Sequence, residues 1–398
     1  MKVGILGGGQ LACMLAEALG RLGAHPRVYD PDPDAPARGR VVDVVQAPFD
    51  DLHALREFAA GCDVITYERE DLPVDALRAA TIDTPFLPEL GVLEIAQDRI
   101  LEKQFITRSG LPCVRHRIVG ADERLDAACA AFGFPVIAKT TRGGYDGKGQ
   151  FLLHDGAQAS AAEQMVVGAR WVLEERVDIA AEASCIVARS SSEEVTFPVV
   201  ENLHRDHILD RSVVPCRLPP AVTTAIRELA LETARAIHLR GLLAVEFFVA
   251  NGGATGVAVG DHRILINELA PRPHNSGHVF ARACTFGQFD ALARLLVGAP
   301  LGTPRGYSGS FCMGNLLGDV WLAQARETSL DLTSWSSFED VIDIHLYGKR
   351  RPAERRKMGH FVVRGTSSNE ALARTEEFRR ALARPHALTP STRNHDAG

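Results

Sequence analysis

Two apolar stretches of strand length, residues 243–249 (LAVEFFV) and 263–269 (RILINEL), each carry one glutamate, Glu246 and Glu268. The segment between them, 251–261, is glycine-rich and reads as a turn, so the strands fold back on one another. That brings the two acids together, with Asn267 beside them. Few folds accept this: unpaired carboxylates are rarely buried, and two side by side repel unless a cation lies between them. A hard cation such as Mg²⁺ takes oxygen ligands, and where it also binds phosphates it needs only one or two carboxylates. The competing reading satisfies both acids with arginines such as Arg272. Directly after comes PRPHNSGH, residues 271–278, dense in hydrogen-bonding groups and with its path fixed by prolines. Beside a metal site it suits anion and substrate contact.

A second constraint is TTRGGYDGKGQ, residues 140–150, between the apolar runs 134–138 and 151–153. Four glycines let the backbone approach something closely, and the flanking runs read as strands, so the stretch predicts a hairpin flap whose N–H groups lie over phosphates. It is not a Walker A loop, which needs GK followed by Ser or Thr and a helix. The bland alternative is an ordinary surface hairpin. Lys139, at the end of the incoming strand, is placed to reach phosphates as a point charge, or else snorkels at an edge. Residues 171–175 form a further strand-like run with two acids, Glu174 and Glu175, able to present its backbone to a base with a carboxylate turned to a ribose. Alone it is a strand ending at the surface.

The first third alternates strands (2–6, 28–30, 41–45, 64–67) with helices (11–22, 51–60, 72–81), which argues for a parallel sheet covered on both faces. Its first turn contains G-x-G-x-x-A, Gly7 to Ala12, with Asp30 where a ribose-binding acid stands in dinucleotide folds. Nicotinamide binding, sugar-phosphate binding at a helix N-terminus and tight packing all fit that turn. Glu68 and Glu70 end a strand that points into the ligand crevice; the alternative is a solvated patch. One helix is expected over 92–107, carrying Asp98, Arg99 and Lys103. Near the C-terminus, residues 349–357 (KRRPAERRK) hold six basic residues and one acid. The formal charge of −6 and the lack of interleaved aromatics weigh against nucleic acid as partner. No apolar run is of membrane-spanning length, and residues 1–6 read as a first strand rather than a signal peptide. Eight cysteines without a CxxC pair indicate neither a zinc site nor a disulfide framework, which fits a reducing cytoplasm.

Together the flap and the acid-bearing strands resemble the ATP-grasp superfamily, and more narrowly the N5-carboxyaminoimidazole ribonucleotide synthase family of purine synthesis. The likeness runs from GILGGGQLACM through QDRILEKQF, GGYDGKGQ, FPVVENLHRDHIL and INELAPRPHNSGH to RRKMGH. It implies an α/β ATP-grasp fold with an N-terminal Rossmann-like parallel-sheet domain (1–108), a central flap domain (109–180), a C-terminal catalytic domain with a small terminal subdomain (181–388) and a disordered tail (389–398). It implies a cytoplasmic homodimer that uses ATP, bicarbonate and aminoimidazole ribonucleotide, with no nucleic acid or membrane partner and a functional coupling to a carboxymutase. Nucleotide contacts are implied at Arg99, Lys139, Gly144, Tyr145, Asp146, Gly147, Lys148, Gly149 and Gln150, then Glu174, Glu175, Arg176, Val177, Glu182, His204, Asn267 and Glu268. Mg²⁺, or Mn²⁺ in its place, is implied at Glu246 and Glu268. Substrate contacts are implied at Gly9, Gln10, Glu68, Tyr145, Asp146, His274, Asn275, Ser276, Lys349 and Arg356. Catalytic roles fall to Arg272, Asp146, Lys148 and Asn267, with bicarbonate and carboxyphosphate chemistry near Arg272.

The sequence departs from the family pattern in three places. The usual YEFEN reads YERED, placing Arg69 and Asp71; the basic run before MGH is longer; and so is the loop 251–261. Sibling ligases, formate-dependent glycinamide ribonucleotide transformylase and biotin carboxylase, share the flap and the acids, but HNSGH argues against them. A nicotinamide dehydrogenase rests on the first turn alone.

Overall fold

The computed structural model describes residues 1–81, 83–144, 147–253, 255–326 and 329–383. Three sheets organise them. The first is parallel, with β1 (Lys2–Leu6), β2 (His25–Tyr29), β3 (Asp43–Val45) and β4 (Val64–Tyr67) in the order β3-β2-β1-β4. β1 and β4 are buried almost throughout, as expected when helices cover both faces. The second is antiparallel, β5 (His116–Ile118), β6 (Val136–Thr140), β7 (Gln150–Leu153) and β8 (Trp171–Glu175), in the order β5-β8-β6-β7. The third has ten strands: β9 (Ile179–Arg189), β10 (Glu194–Thr196), β11 (Val200–Arg205), β12 (Ile208–Val214), β13 (Gly241–Asn251), β14 (Val257–Val259), β15 (His262–Ala270), β16 (Ser310–Leu317), β17 (Val341–Leu346) and β18 (Lys357–Gly365).

Alternation along the long strands decides what each face meets. In β9, Ala183, Cys185 and Val187 pack with Val222, Ile226 and Ala230 of the helix Pro220–Ala236. The intervening Ile186 and Ala188 face the opposite way, onto Phe280 and the helix Gln288–Leu296, in a core shared with Leu11 and Leu15 of the N-terminal helix Gln10–Arg21. The first and third sheets are thus joined by one apolar cluster.

Two elements differ from expectation. The helix expected over 92–107 is two helices, Leu90–Ala96 and Arg99–Arg108. Asp98 caps the second by accepting from the Ile100 N–H at 3.0 Å, while its other oxygen takes Arg142 at 3.1 Å. A capping aspartate restarts a helix as readily as it continues one, and the restart puts Arg99 on the first turn beside the flap. The loop 251–261 is not only a turn, since β14 forms within it and pairs with β15. The expected tail, 389–398, lies outside the described residues.

Candidate active site

Strands β13 and β15 pair antiparallel with Glu246 directly opposite Glu268. The next pair is Phe247 with Ile266, so Asn267 is the extra residue of a bulge. Each acid has a partner beside it. Glu246 meets His274 Nε2 at 2.7 Å, and Glu268 meets Arg99 at 3.5 Å. Burial pushes the Glu246 carboxyl up, but His274 more than offsets it, with His204 and Lys357 further off, and the net shift is downward. Arg272 does not pair with either acid. It bonds Glu70 at 2.9 Å, on the far wall of the crevice, where burial raises the Glu70 carboxyl against the pull of Arg272.

Asn267 tests whether a cation fits. Its Oδ1 is buried and accepts no hydrogen bond. An orphaned acceptor beside two facing carboxylates is the donor set that a hard, oxygen-loving cation takes. Among the described residues no three His, Cys, Asp or Glu side chains converge on one point. A cation here would therefore complete its shell from Asn267, phosphate oxygens and water.

A second cluster lies immediately behind. Lys103 and Lys139 both reach Glu174, at 3.1 and 2.6 Å, and all three are buried. Burial opposes ionisation of Glu174, but the two lysines overcome it and hold the carboxyl far below its ordinary value. Burial likewise lowers Lys139, against the pull of Glu174. Glu174 is therefore not turned to a ribose, as the sequence suggested; it is the counter-ion of two lysines. Lys103 also donates to the Asn267 carbonyl at 3.2 Å, which pins the bulge. No local signal points to this role for Lys103, because its partners lie 71 and 164 residues away. Glu102, next to it, accepts from the Leu269 N–H at 2.7 Å, and burial with the nearby Glu268 raises it to about 8.

The flap is a hairpin, with β6 and β7 antiparallel and Lys139 opposite Gln150. Its tip lies over Arg99, whose guanidinium reaches the Gly144 carbonyl at 3.5 Å. Gly147 has φ +81° and Gly149 φ +69°, and a Cβ on Gly147 would come within 2.5 Å of His207. Lys148 and Gln150 are exposed on the hairpin. Tyr145 and Asp146, given substrate, nucleotide and catalytic roles above, lie outside the described residues.

Beyond β8, Glu175 is tied by Arg115 and by Thr255 Oγ1 at 2.9 Å. Arg176 is exposed, and Val177 packs against Val114, Ala250 and Leu265. Glu182 and His204, on β9 and β11, pair at 2.9 Å; burial lowers the imidazole but Glu182 raises it further, for a net rise. Asn275 has both amide atoms buried without a partner, and Ser276 bonds His274 Nδ1 at 2.8 Å.

At the first turn the dinucleotide reading fails. Glu68 accepts from the Gly9 and Ala12 N–H groups, so the helix N-terminus already holds an anion of its own. Asp30 accepts from the Gly8 N–H at 2.6 Å and the Asp32 N–H at 2.7 Å, one on each oxygen, and so braces the turn. Glu68 occupies the Gly9 N–H on this turn; Gln10 opens the helix with its side chain partly exposed. Burial raises the Glu68 carboxyl, against those two N–H groups and the pull of Lys349 across the crevice. With two backbone bonds, Glu68 is not a solvated surface group. Lys349 donates to the Lys357 carbonyl at 3.0 Å. Arg356 is exposed and braces its own loop through the Arg350 and Arg351 carbonyls, both at 2.9 Å.

This arrangement has relatives. The ATP-grasp domain family matches residues 104–289, the ribonucleotide synthetase pre-ATP-grasp domain 1–97 and the phosphoribosylaminoimidazole carboxylase C-terminal domain 312–374. An N5-carboxyaminoimidazole ribonucleotide synthase of Brucella melitensis is 38% identical over 90% of this chain and 94% of its own length. The chain belongs to the N5-carboxyaminoimidazole ribonucleotide synthase family. A bifunctional purine synthesis protein of Dictyostelium discoideum is 35% identical over 90% of the chain, which spans only 36% of that longer protein. Among solved structures, an N5-carboxyaminoimidazole ribonucleotide synthetase in complex with ADP superposes with a TM-score of 0.85 at 35% identity, covering 95% of this chain and 96% of that one. Membership in this ATP-grasp ligase family sets the two sibling ligases and the dehydrogenase aside. No helix among the described residues is long and apolar enough to cross a membrane.

Proposed function

We propose that this chain carboxylates the exocyclic amine of 5-aminoimidazole ribonucleotide, using ATP and bicarbonate and passing through carboxyphosphate, in purine biosynthesis. The observation that carries the reading is Glu246 facing Glu268 beside the orphaned Asn267 oxygen, with the glycine flap above them. Glu246, Glu268 and Asn267 would hold Mg²⁺, which when bound neutralises charge on the transferring phosphoryl group.

Bicarbonate is a poor electrophile because its leaving group is hydroxide. Its oxygen attacks the γ-phosphorus in line, the bond to ADP breaks, and the carboxyl carbon gains phosphate as leaving group. Lys139 and Arg99, on either side of the flap, hold the phosphates as they change charge. Arg272 holds the bicarbonate, and Glu70 sets the direction of its guanidinium. The amine nitrogen then bonds to the carboxyl carbon of carboxyphosphate, or to CO₂ released from it, as phosphate departs. The amine proton passes to a carboxylate, the role assigned to Asp146. Closure of the flap, with Gly147 and Lys148 at its tip, excludes the water that would hydrolyse carboxyphosphate.

With the first turn filled by Glu68, the sugar phosphate is assigned to the basic segment containing Lys349 and Arg356, with His274, Asn275 and Ser276 along the ring. The same reading divides the chain at about residues 108 and 180, places the enzyme in the cytoplasm as a homodimer, and hands its product to a carboxymutase. Bicarbonate labelled with ¹⁸O should deliver one labelled oxygen to inorganic phosphate in each turnover. Product formed with unlabelled phosphate, where exchange with water is suppressed, refutes the carboxyphosphate route. ADP release that does not depend on the imidazole amine refutes the acceptor.

A further inference from the structure

Behind His274 a row of polar side chains crosses three strands of the third sheet. Ser212 on β12 donates to Asn202 Oδ1 at 3.0 Å, and Asn202 on β11 donates through Nδ2 to Ser184 Oγ at 3.1 Å. Ser184 on β9 lies 2.7 Å from Ser276 Oγ, which lies 2.8 Å from His274 Nδ1; His274 Nε2 then meets Glu246 at 2.7 Å. Ser212 and Ser276 are wholly buried, and Ser184 and Asn202 nearly so. The row lies on the face of the sheet that elsewhere buries Ile186, Ala188, Leu242 and Ala244.

Polar groups in such a place cost stability unless every one is paired, and aliphatic residues would fill the volume without that demand. Here the groups pair with one another in an unbroken row. Asn202 accepts from Ser212 and donates to Ser184. Ser184 and Ser276 share the next hydrogen bond, and Ser276 shares one with His274 Nδ1. With Ser276 on Nδ1 and Glu246 on Nε2, both nitrogens of the ring are held.

We propose that Ser212, Asn202 and Ser184 are positioning residues that hold the His274 ring in one orientation against Glu246, and so fix the carboxylate that works in the reaction. None of the three touches the crevice. The proposal rests on the reading of Glu246 given above. Its first test does not.

In protein labelled with ¹⁵N at histidine, free of metal and nucleotide and assigned with His274→Gln, the wild-type His274 ring should show one sharp set of ring-nitrogen resonances. Ser184→Ala, and the double variant Ser184→Ala/Asn202→Leu that leaves no unpaired amide, should broaden or split those resonances. Ser184→Thr, which keeps the hydroxyl, should restore them. With active sites counted by ADP binding, kcat should fall about tenfold in the alanine and double variants, and the KM for ATP should stay within about twofold. A purely structural role would lower the thermal midpoint and the count of active sites but leave kcat per site unchanged. A His274 signal that is unmoved in both variants overturns the proposal, and so does a disturbed ring with wild-type kcat per site. Failure of the wild-type enzyme to carboxylate the imidazole would overturn the function instead, leaving the resonance test standing.

Discussion

Three imidazoles stack between the first and third sheets: His278 on His360 with centroids 4.5 Å apart, and His360 on His345 at 5.4 Å. Burial lowers all three, and each neighbour's charge adds to the effect at His278 and His360. His360 falls from 6.5 to about 3. A histidine whose folded pKa is depressed contributes fully above its unfolded pKa, and that contribution is lost as pH falls from 6.5 towards 3. At pH 5 the unfolded imidazole is protonated and the folded one is not. The loss is then about 1.4 kcal/mol per pH unit over one and a half units, or about 2 kcal/mol from His360 alone. His278 adds a loss of the same sign. A chain with three sheets need not unfold in one step, so the quantity to measure is local opening. Hydrogen exchange of the strands Ser310–Leu317 and Lys357–Gly365, corrected for intrinsic rate, should show protection about thirtyfold lower at pH 5 than at pH 7. His360→Gln should remove that part of the pH dependence while His278 keeps the rest. Equal protection at the two pH values, or an unchanged slope in the variant, would refute the reasoning.

Glu268→Gln should leave the fold intact, since its side chain is about a third exposed, and lower kcat/KM at least about a hundredfold at ordinary Mg²⁺; full activity there removes it from the metal site. Gly147→Val places a Cβ against His207 and forces a positive φ on a branched residue, so the KM for ATP should rise and kcat fall. Unchanged ATP kinetics would return the flap to an ordinary hairpin. Glu174→Gln leaves Lys103 and Lys139 buried without their counter-ion and should cost about 3–5 kcal/mol, read as a lowered thermal midpoint. A midpoint within a degree of wild type would mean that the lysines find another partner.

Much of the site was legible because its signals are local. Each acid interrupts an apolar strand, and a glycine-rich segment between them forces the hairpin, so Glu246 and Glu268 had to face one another. The flap was legible for the same reason, with four glycines between two strand-like runs. The helix break at Asp98 was less so. Its cap and its ion pair with Arg142 lie in different segments, and a continuous amphipathic reading cannot see the second.

What stayed hidden is the pairing of charges over long sequence distances. Glu68 read as a crevice acid, yet it closes the N-terminus of a helix 56 residues earlier in the chain. The competing reading pairs Arg272 with the metal-type acids, yet it crosses to Glu70 at the end of the first sheet. Glu174 read as a ribose ligand, yet two lysines from separate elements enclose it. In each case the residue type announced a charged group that must be satisfied, and only the fold could say by what. The consequence reaches the mechanism. A group that is already paired, such as Glu68 or Glu174, sets the position of others, whereas the Asn267 oxygen, buried and unpaired, is left to meet what enters the crevice. Distinguishing the two kinds needs the identity of each group's partners, which is why Asn267 carries more of the functional argument than several of the acids around it.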